Sequence, residues 1–226
     1  MNVTLRRWTV NPEEAIDLAA SNCYDSHPKG TGVLMNDCYQ SGHHSVLEFA
    51  QFHFHIEGIS RACLAQLTRH RTASFAVRSQ RYVNENNCRV VTPKSIADNP
   101  KAMSKYAACI ENITACYAYL TSLNIPKEDA RFVLPNACET VVDITCDLRN
   151  LIHFCNERLC MTAQWEIREL AMKMKAEVEG VAPKCAAMLV PKCESRPIHY
   201  CTEKRDCKYP HPHQLKITPV GGQKNE

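Results

Sequence analysis

The sequence predicts an α+β fold: mixed helices with an antiparallel sheet. Three observations carry that expectation. Helical periodicity dominates, most clearly over residues 99–123. Short runs near residues 2–10, 50–57 and 140–144 alternate as half-buried strands do. The two kinds of segment mix without βαβ regularity, which disfavours a parallel sheet. At 226 residues the chain fits one large domain or a domain with a small appendage, and can bury a core without staples. The expected division is a folded domain over 1–180 and a Cys-rich appendage over 181–226, to which the sequence assigns no role.

The elements follow in order. Residues 2–10 read as a strand. Asn11-Pro12-Glu13-Glu14 is a helix start, with Asn as cap, Pro at the first helical position and acids in the first turn. That helix runs to about Cys23. A turn-rich loop follows, then a short helix from about Val33 that stops at Gly42. Ser45-Val46-Leu47-Glu48 has capping-box spacing. In the strand at 50–57, Phe52, Phe54 and Ile56 share one face, while Gln51, His53, His55 and Glu57 share the other. The two histidines therefore read as members of a polar strand face. A helix then passes through Ala62, Leu64 and Leu67 and ends near Arg69-His70-Arg71. Residues 72–81 are polar with no period, and Tyr82 to Val91 reads as a strand closed by Pro93. Asn99 caps the clearest helix and Pro100 starts it. Its apolar stripe is Met103, Tyr106, Ile110, Ile113, Tyr117 and Leu120. A short helix follows Pro126. Thr140, Val142 and Ile144 mark a strand. Asp147 caps a helix with core positions Leu148, Leu151, Ile152, Cys155 and Leu159, and a last long helix runs from about Thr162 to Gly180.

Composition excludes more than it selects. Hydrophobic residues make up 45% and charged residues 23%, the balance of an ordinary globular chain. A net charge of +3 argues for no polyanionic partner. No apolar run approaches the roughly 20 residues of a membrane span, and no signal peptide is visible, so the expectation is a cytoplasmic protein. The 14 cysteines fall mostly inside helix and strand patterns, Cys63, Cys109, Cys116, Cys146 and Cys155 among them. They read as reduced, buried, small apolar residues.

Chemistry concentrates in residues 69–82, which hold four arginines, one histidine and two serines in fourteen positions. The segment lies where a helix gives way to a loop. Arginine offers a planar fork of donors matched to phosphate oxygens, and serine hydroxyls with loop amides complete such a cradle. The residues alone also allow a solvated basic loop.

Arg69-His70-Arg71, followed after seven residues by Ser79 and then by Arg81-Tyr82, resembles the signature of flavin-dependent thymidylate synthases. Further blocks resemble the same family in the same order. Gly42-His43, Ser45 and Glu48 precede Phe52-His53-Phe54-His55. Gln66 stands just before the signature. Ala130-Arg131-Phe132-Val133-Leu134-Pro135 and the run of Asp147-Leu148-Arg149, His153-Phe154, Glu157-Arg158 and Ala163-Gln164-Trp165-Glu166-Ile167-Arg168 complete the set. Two departures stand out: Ala76-Val77 occupy positions where many members carry Asn-Glu, and Asp147 replaces a common asparagine.

The resemblance implies FAD as cofactor and the reductive methylation of dUMP to dTMP. It implies 5,10-methylenetetrahydrofolate as carbon donor, NADPH as flavin reductant, and a homotetramer with shared active sites. It implies that Arg69, His70 and Arg71 contact the flavin, with His43, Ser45, Asp147, Arg149 and His153. Gln66, Arg69, Ser79, Gln80 and Arg81 would hold dUMP, with Arg131 reaching it from another subunit. Arg158 would sit at the uracil ring and favour its N3-ionised form, since a fixed guanidinium stabilises the charge and cannot lose its own proton. Ser79 is a binding group, because its arginine neighbours cannot act as a base. No cysteine is expected to act as a covalent catalyst.

The C-terminal Cys185, Cys193, Cys201 and Cys207, with His199, His211 and His213 nearby, raise the question of zinc. Their gaps lack the short Cys pairing of typical structural sites, so no metal is expected. Two other readings remain: a nucleic-acid binder using the arginine loop, and a zinc-dependent structural protein. The first wants aromatic side chains interleaved with basic ones, and only Phe75 and Tyr82 offer that; no nucleic-acid or membrane partner is expected.

Overall fold

A computed structural model describes residues 1–195, apart from 26, 28 and 29, together with Cys201, Glu203 and Cys207. The fold is α+β. The strands are β1 (Asn2–Trp8), β2 (Gln51–Ser60), β3 (Ser74–Val77) and β4 (Glu139–Asp147). The helices are α1 (Pro12–Tyr24), α2 (Val33–Gln40), α3 (Arg61–Leu67), α4 (Lys94–Ala97), α5 (Pro100–Ser122), α6 (Lys127–Ala130), α7 (Leu148–Arg158), α8 (Trp165–Glu179) and α9 (Pro183–Ala187). The chain divides into two compact units, one of residues 1–7 and 52–146, the other of residues 8–51 and 147–226.

The first unit is built on a four-stranded antiparallel sheet in the order β1-β2-β4-β3. Alternation does the sorting. Val3 and Leu5 of β1, Phe52, Phe54 and Ile56 of β2, and Val142 and Ile144 of β4 are buried. Truncating such a phenylalanine to alanine costs about 3–5 kcal/mol. The opposite face is polar. There one oxygen of Asp143 meets Arg6 at 3.3 Å, His53 at 3.3 Å and His55 at 3.1 Å. Burial pushes the Asp143 carboxyl up, but hydrogen bonding and charge from His55, with Arg6 and His53, outweigh it, and the net shift is downward. The α5 stripe is as expected from its period: Tyr117 is fully buried and the rest of it is half-buried. Asn99 caps α5 by accepting from the Ala102 amide at 3.1 Å.

The second unit is helical. Its core is Ile16 and Ala20 of α1, Met35 and Cys38 of α2, Leu148, Leu151, Ile152 and Cys155 of α7, and Ile167, Leu170 and Met174 of α8. Buried Asp17 accepts from the amides of Gly32 and Met35 at the start of α2, where helical donors lack partners. The Asp147 carboxylate does the same for α7, accepting from the Asn150 amide at 2.8 Å. Burial continues past residue 180, through Ala182, Cys185, Ala186 and Leu189.

Several expectations are corrected. Tyr82 to Val91 is not a strand; Val90 makes only an isolated bridge to Cys138. The strand lies earlier, inside the segment read as aperiodic: Ser74-Phe75-Ala76-Val77 forms β3 and pairs antiparallel with β4. Four residues are too few for alternation to rise above a polar background. α3 ends at Leu67, two residues before Arg69. The Ser45–Glu48 capping box is absent: a 3-10 helix spans His44–Phe49 without a side-chain cap, and Glu48 turns to Arg149 instead. Asn11 is left-handed, with φ 47°, and its side chain bonds Glu14 rather than a helix amide. α8 starts at Trp165, capped by Gln164, rather than near Thr162. Leu159 is only half-buried. Cys63, Cys146 and Cys155 are buried, but Cys109 and Cys116 are exposed, since they fall off the inward stripe of α5. Cys88 and Cys138 are joined in a disulfide, Cα atoms 6.1 Å apart, so not every thiol is reduced.

Candidate active site

In the first unit the signature begins where α3 stops. Ser60 caps α3 by accepting from the Cys63 amide at 2.9 Å, and the chain then turns tightly. The Arg69 amide donates to Gln66 at 3.3 Å and the His70 amide to Leu67 at 3.1 Å. Arg69 and Arg71 are exposed, and among the described residues neither makes an ion pair. Gln66 and His70 are half-buried.

β3 carries the chain across the sheet edge, with Ala76 opposite Asp143 and Val77 opposite Val142. The departure from Asn-Glu thus falls on strand positions. The Arg78 amide closes the ladder on Val141 at 2.9 Å, and the turn that follows is tied at several points. Ser79 Oγ accepts from the Arg81 amide at 3.2 Å. Arg81 Nε donates to Glu128 Oε2 at 2.8 Å, and its guanidinium lies 5.5 Å from the Tyr82 ring. Arg131 Nε donates to the Glu128 carbonyl at 3.0 Å. Arg81 and Arg131 are thereby both tied to Glu128 of α6, and Ser79 is tied to the Arg81 amide. Gln80 is half-buried in the same turn.

Beneath the turn lie residues that the sequence reading missed. Arg61 Nη2 donates to the Arg78 carbonyl at 2.8 Å. Burial pushes the Arg61 pKa down, against the opposing pull of Glu85, with Arg131 and Arg78 adding to the fall. Arg78 Nε sits 3.5 Å from Glu85 Oε1, a buried carboxylate whose amide donates to the Tyr117 hydroxyl at 3.4 Å. Lys127 Nζ donates to the Tyr82 carbonyl at 2.9 Å. No motif flags Glu85, Glu128 or Lys127. Only Glu85 carried a signal, a carboxylate close in sequence to an arginine-rich loop.

In the second unit, His43 and Ser45 are exposed at the start of the 3-10 helix. Arg149 and His153 share an exposed face of α7, one turn apart. Arg149 Nη1 donates to Glu48 Oε1 at 2.6 Å, which gives Glu48 the role of arginine holder. Asp147 caps α7 and also accepts from the Asn150 side chain at 2.6 Å, so its charge is already directed to donors. Arg158 ends α7, where helix carbonyls favour a cation.

Residues 4–184 match the protein family described as thymidylate synthase complementing protein. The chain is 41% identical over 210 residues to the flavin-dependent thymidylate synthase of Geobacter sulfurreducens, covering 87% of this chain and 90% of that one. It is 42% identical over 222 residues to that of Pyrococcus abyssi, covering 90% of each.

The chain belongs to the flavin-dependent thymidylate synthases.

It is accordingly an enzyme. The fold is that of thymidylate synthase X from Helicobacter pylori, whose crystal structure contains FAD and dUMP: the TM-score is 0.69 at 24% identity, over 84% of this chain and 99% of that one. The sequence blocks that carry a flavin-dependent thymidylate synthase resemblance all lie within the matched span of residues 4–184.

Proposed function

We propose that this flavin-dependent thymidylate synthase binds FAD and dUMP and forms dTMP, with 5,10-methylenetetrahydrofolate as carbon donor and NADPH as reductant. One observation carries the reading: the Ser79–Arg81 turn is fastened to α6 beside Arg131, through Arg81 on Glu128 and Arg131 on the Glu128 carbonyl. That holds the Ser79 hydroxyl and the Arg81 guanidinium in one turn, a donor set suited to a phosphate monoester, and presents Arg131 beside it for the nucleotide of another subunit.

The donor set also fits a flavin dinucleotide. Arg69 and Arg71, exposed and without an ion pair among the described residues, would hold its phosphates. His70, His43, Ser45, Arg149 and His153 would complete the contacts, in a homotetramer whose active sites are shared between chains. Asp147 would act by holding the start of α7. When bound, FAD supplies the hydride equivalent that side chains lack.

The protein's own part is positioning and electrostatics. Ser79, Gln80 and Arg81 would bind the nucleotide with Gln66 and Arg69, and Arg131 would reach it from another subunit. Arg158 would stand against the uracil ring and stabilise the N3-ionised form. No cysteine is needed. Cys63, just ahead of the signature, is fully buried, and Cys88, just behind it, is in a disulfide. A Cys63→Ala variant should keep its turnover; intact dUMP binding with turnover lost would overturn that point. The reaction itself is tested by supplying dUMP, the folate donor and NADPH and measuring dTMP by chromatography. Failure to form dTMP with every component present would refute the assignment.

A further inference from the structure

Within the unit of residues 8–51 and 147–226, a cavity of about 220 Å³ opens past the end of α7. Four thiols line it: Cys160, Cys193, Cys201 and Cys207. They come from separate stretches of chain. Cys160 sits in the turn between α7 and α8, Cys193 in the 3-10 turn Lys192–Glu194, and the other two farther along the C-terminal segment. None of the four is joined in a disulfide. The spacing of the C-terminal cysteines could not reveal this group, because one member comes from the turn after α7. Cys185, which the spacing would include, is fully buried, with its thiol 3.8 Å from Met35 Sδ. His199, His211 and His213 lie outside the described residues.

We propose that Cys160, Cys193, Cys201 and Cys207 form a four-thiolate site for a soft divalent cation, zinc above all, which fastens the C-terminal segment to the end of α7.

The donor chemistry selects the ion. Four sulfur ligands favour zinc over magnesium or calcium, and structural zinc sites are closed tetrahedra with Zn–S distances near 2.3 Å. Glu203, also on the cavity wall, is a harder oxygen ligand and ranks behind the thiols. Among the described residues no three His, Cys, Asp or Glu side chains already stand in a metal-holding arrangement. The site must therefore contract around its ion, as expected where metal binding and local folding are coupled. The cavity leaves room for that contraction, being several times the roughly 30 Å³ share of one water molecule. Arg158 lines the same cavity, so a fastened segment would also fix the surroundings of the residue assigned to the uracil ring.

The test uses the full chain, prepared in zinc-containing medium under reducing conditions, freed of loose metal and analysed by plasma mass spectrometry. The expected content is about one zinc per chain, retained in Cys185→Ser and lost in Cys160→Ser and Cys193→Ser. Cobalt added to the metal-stripped, unsubstituted protein should give an intense thiolate-to-cobalt charge-transfer band that zinc abolishes. That measurement stands even if a variant fails to fold. Zinc well below one per chain with no cobalt band would overturn the proposal. So would zinc retained in both Cys160→Ser and Cys193→Ser, or disulfides among the four cysteines in the reduced preparation. None of these readings depends on flavin or dUMP, so this proposal and the catalytic one fail separately.

Discussion

Replacing Arg81 by alanine separates a binding role from a structural one, because the structure sets the two costs apart. Arg81 Nε donates to Glu128 Oε2 at 2.8 Å, with side chains 52% and 48% exposed. An ion pair this open contributes only about 0.2–1 kcal/mol. For a chain of this size, about 1 kcal/mol moves the melting temperature by roughly 2–4 °C. Arg81→Ala should therefore melt no more than about 4 °C below the parent. A guanidinium on a phosphate is a different matter. Each hydrogen bond to a charged group is worth about 1.5–3 kcal/mol, so a two-pronged contact is worth about 3 kcal/mol or more, and 1.4 kcal/mol is tenfold in affinity. Titration calorimetry should show dUMP binding weakened about 100-fold or more. Arg81→Lys keeps the charge and loses the fork, and should lie in between. Deoxyuridine, lacking the phosphate, should barely distinguish parent from variant. Arg81→Ala binding dUMP within about twofold of the parent, or melting more than about 10 °C lower, would refute the reasoning.

Two further predictions concern the scaffold. Asp147→Ala removes the acceptor for the Asn150 amide at the start of α7 and should cost about 1 kcal/mol, a fall of roughly 2–4 °C by calorimetry; no fall would show that the cap is not what the residue does. Asp143 has a folded pKa below its ordinary value. Its contribution is therefore present above the unfolded pKa of about 3.9 and lost as pH falls through the folded value. Asp143→Asn should be less stable than the parent by about 1 kcal/mol at neutral pH, with the gap closing in acid. A gap that stays constant or widens on acidification would contradict the charge assignment.

Elements with a long period were legible in the sequence. α5 follows from its stripe and Asn99 cap, and β2 from the alternation of Phe52, Phe54 and Ile56, because burial on one face writes directly into residue order. β3 was not legible: its four residues gain strand identity only by pairing with β4, a contact distant in sequence. The run from Tyr82 to Val91 has strand composition but, beyond the Val90 bridge, no strand partner. Local propensity yields there to the ion pair between Arg78 and Glu85 and the turn at Ser79. For the site, the basic signature was plain, since arginine and serine declare phosphate chemistry by type. Its supports were not. Glu128 and Arg61 become visible only once α6 and α3 are folded against the turn, and Cys160 joins the C-terminal thiols only across a cavity.

The most direct test of the central claim is the conversion of dUMP to dTMP by purified, flavin-replete protein given methylenetetrahydrofolate and NADPH. dTMP should form in step with NADPH consumed, and not at all once the flavin is stripped. Undiminished dTMP formation after flavin removal, or no dTMP from protein that visibly holds its flavin, would contradict that claim.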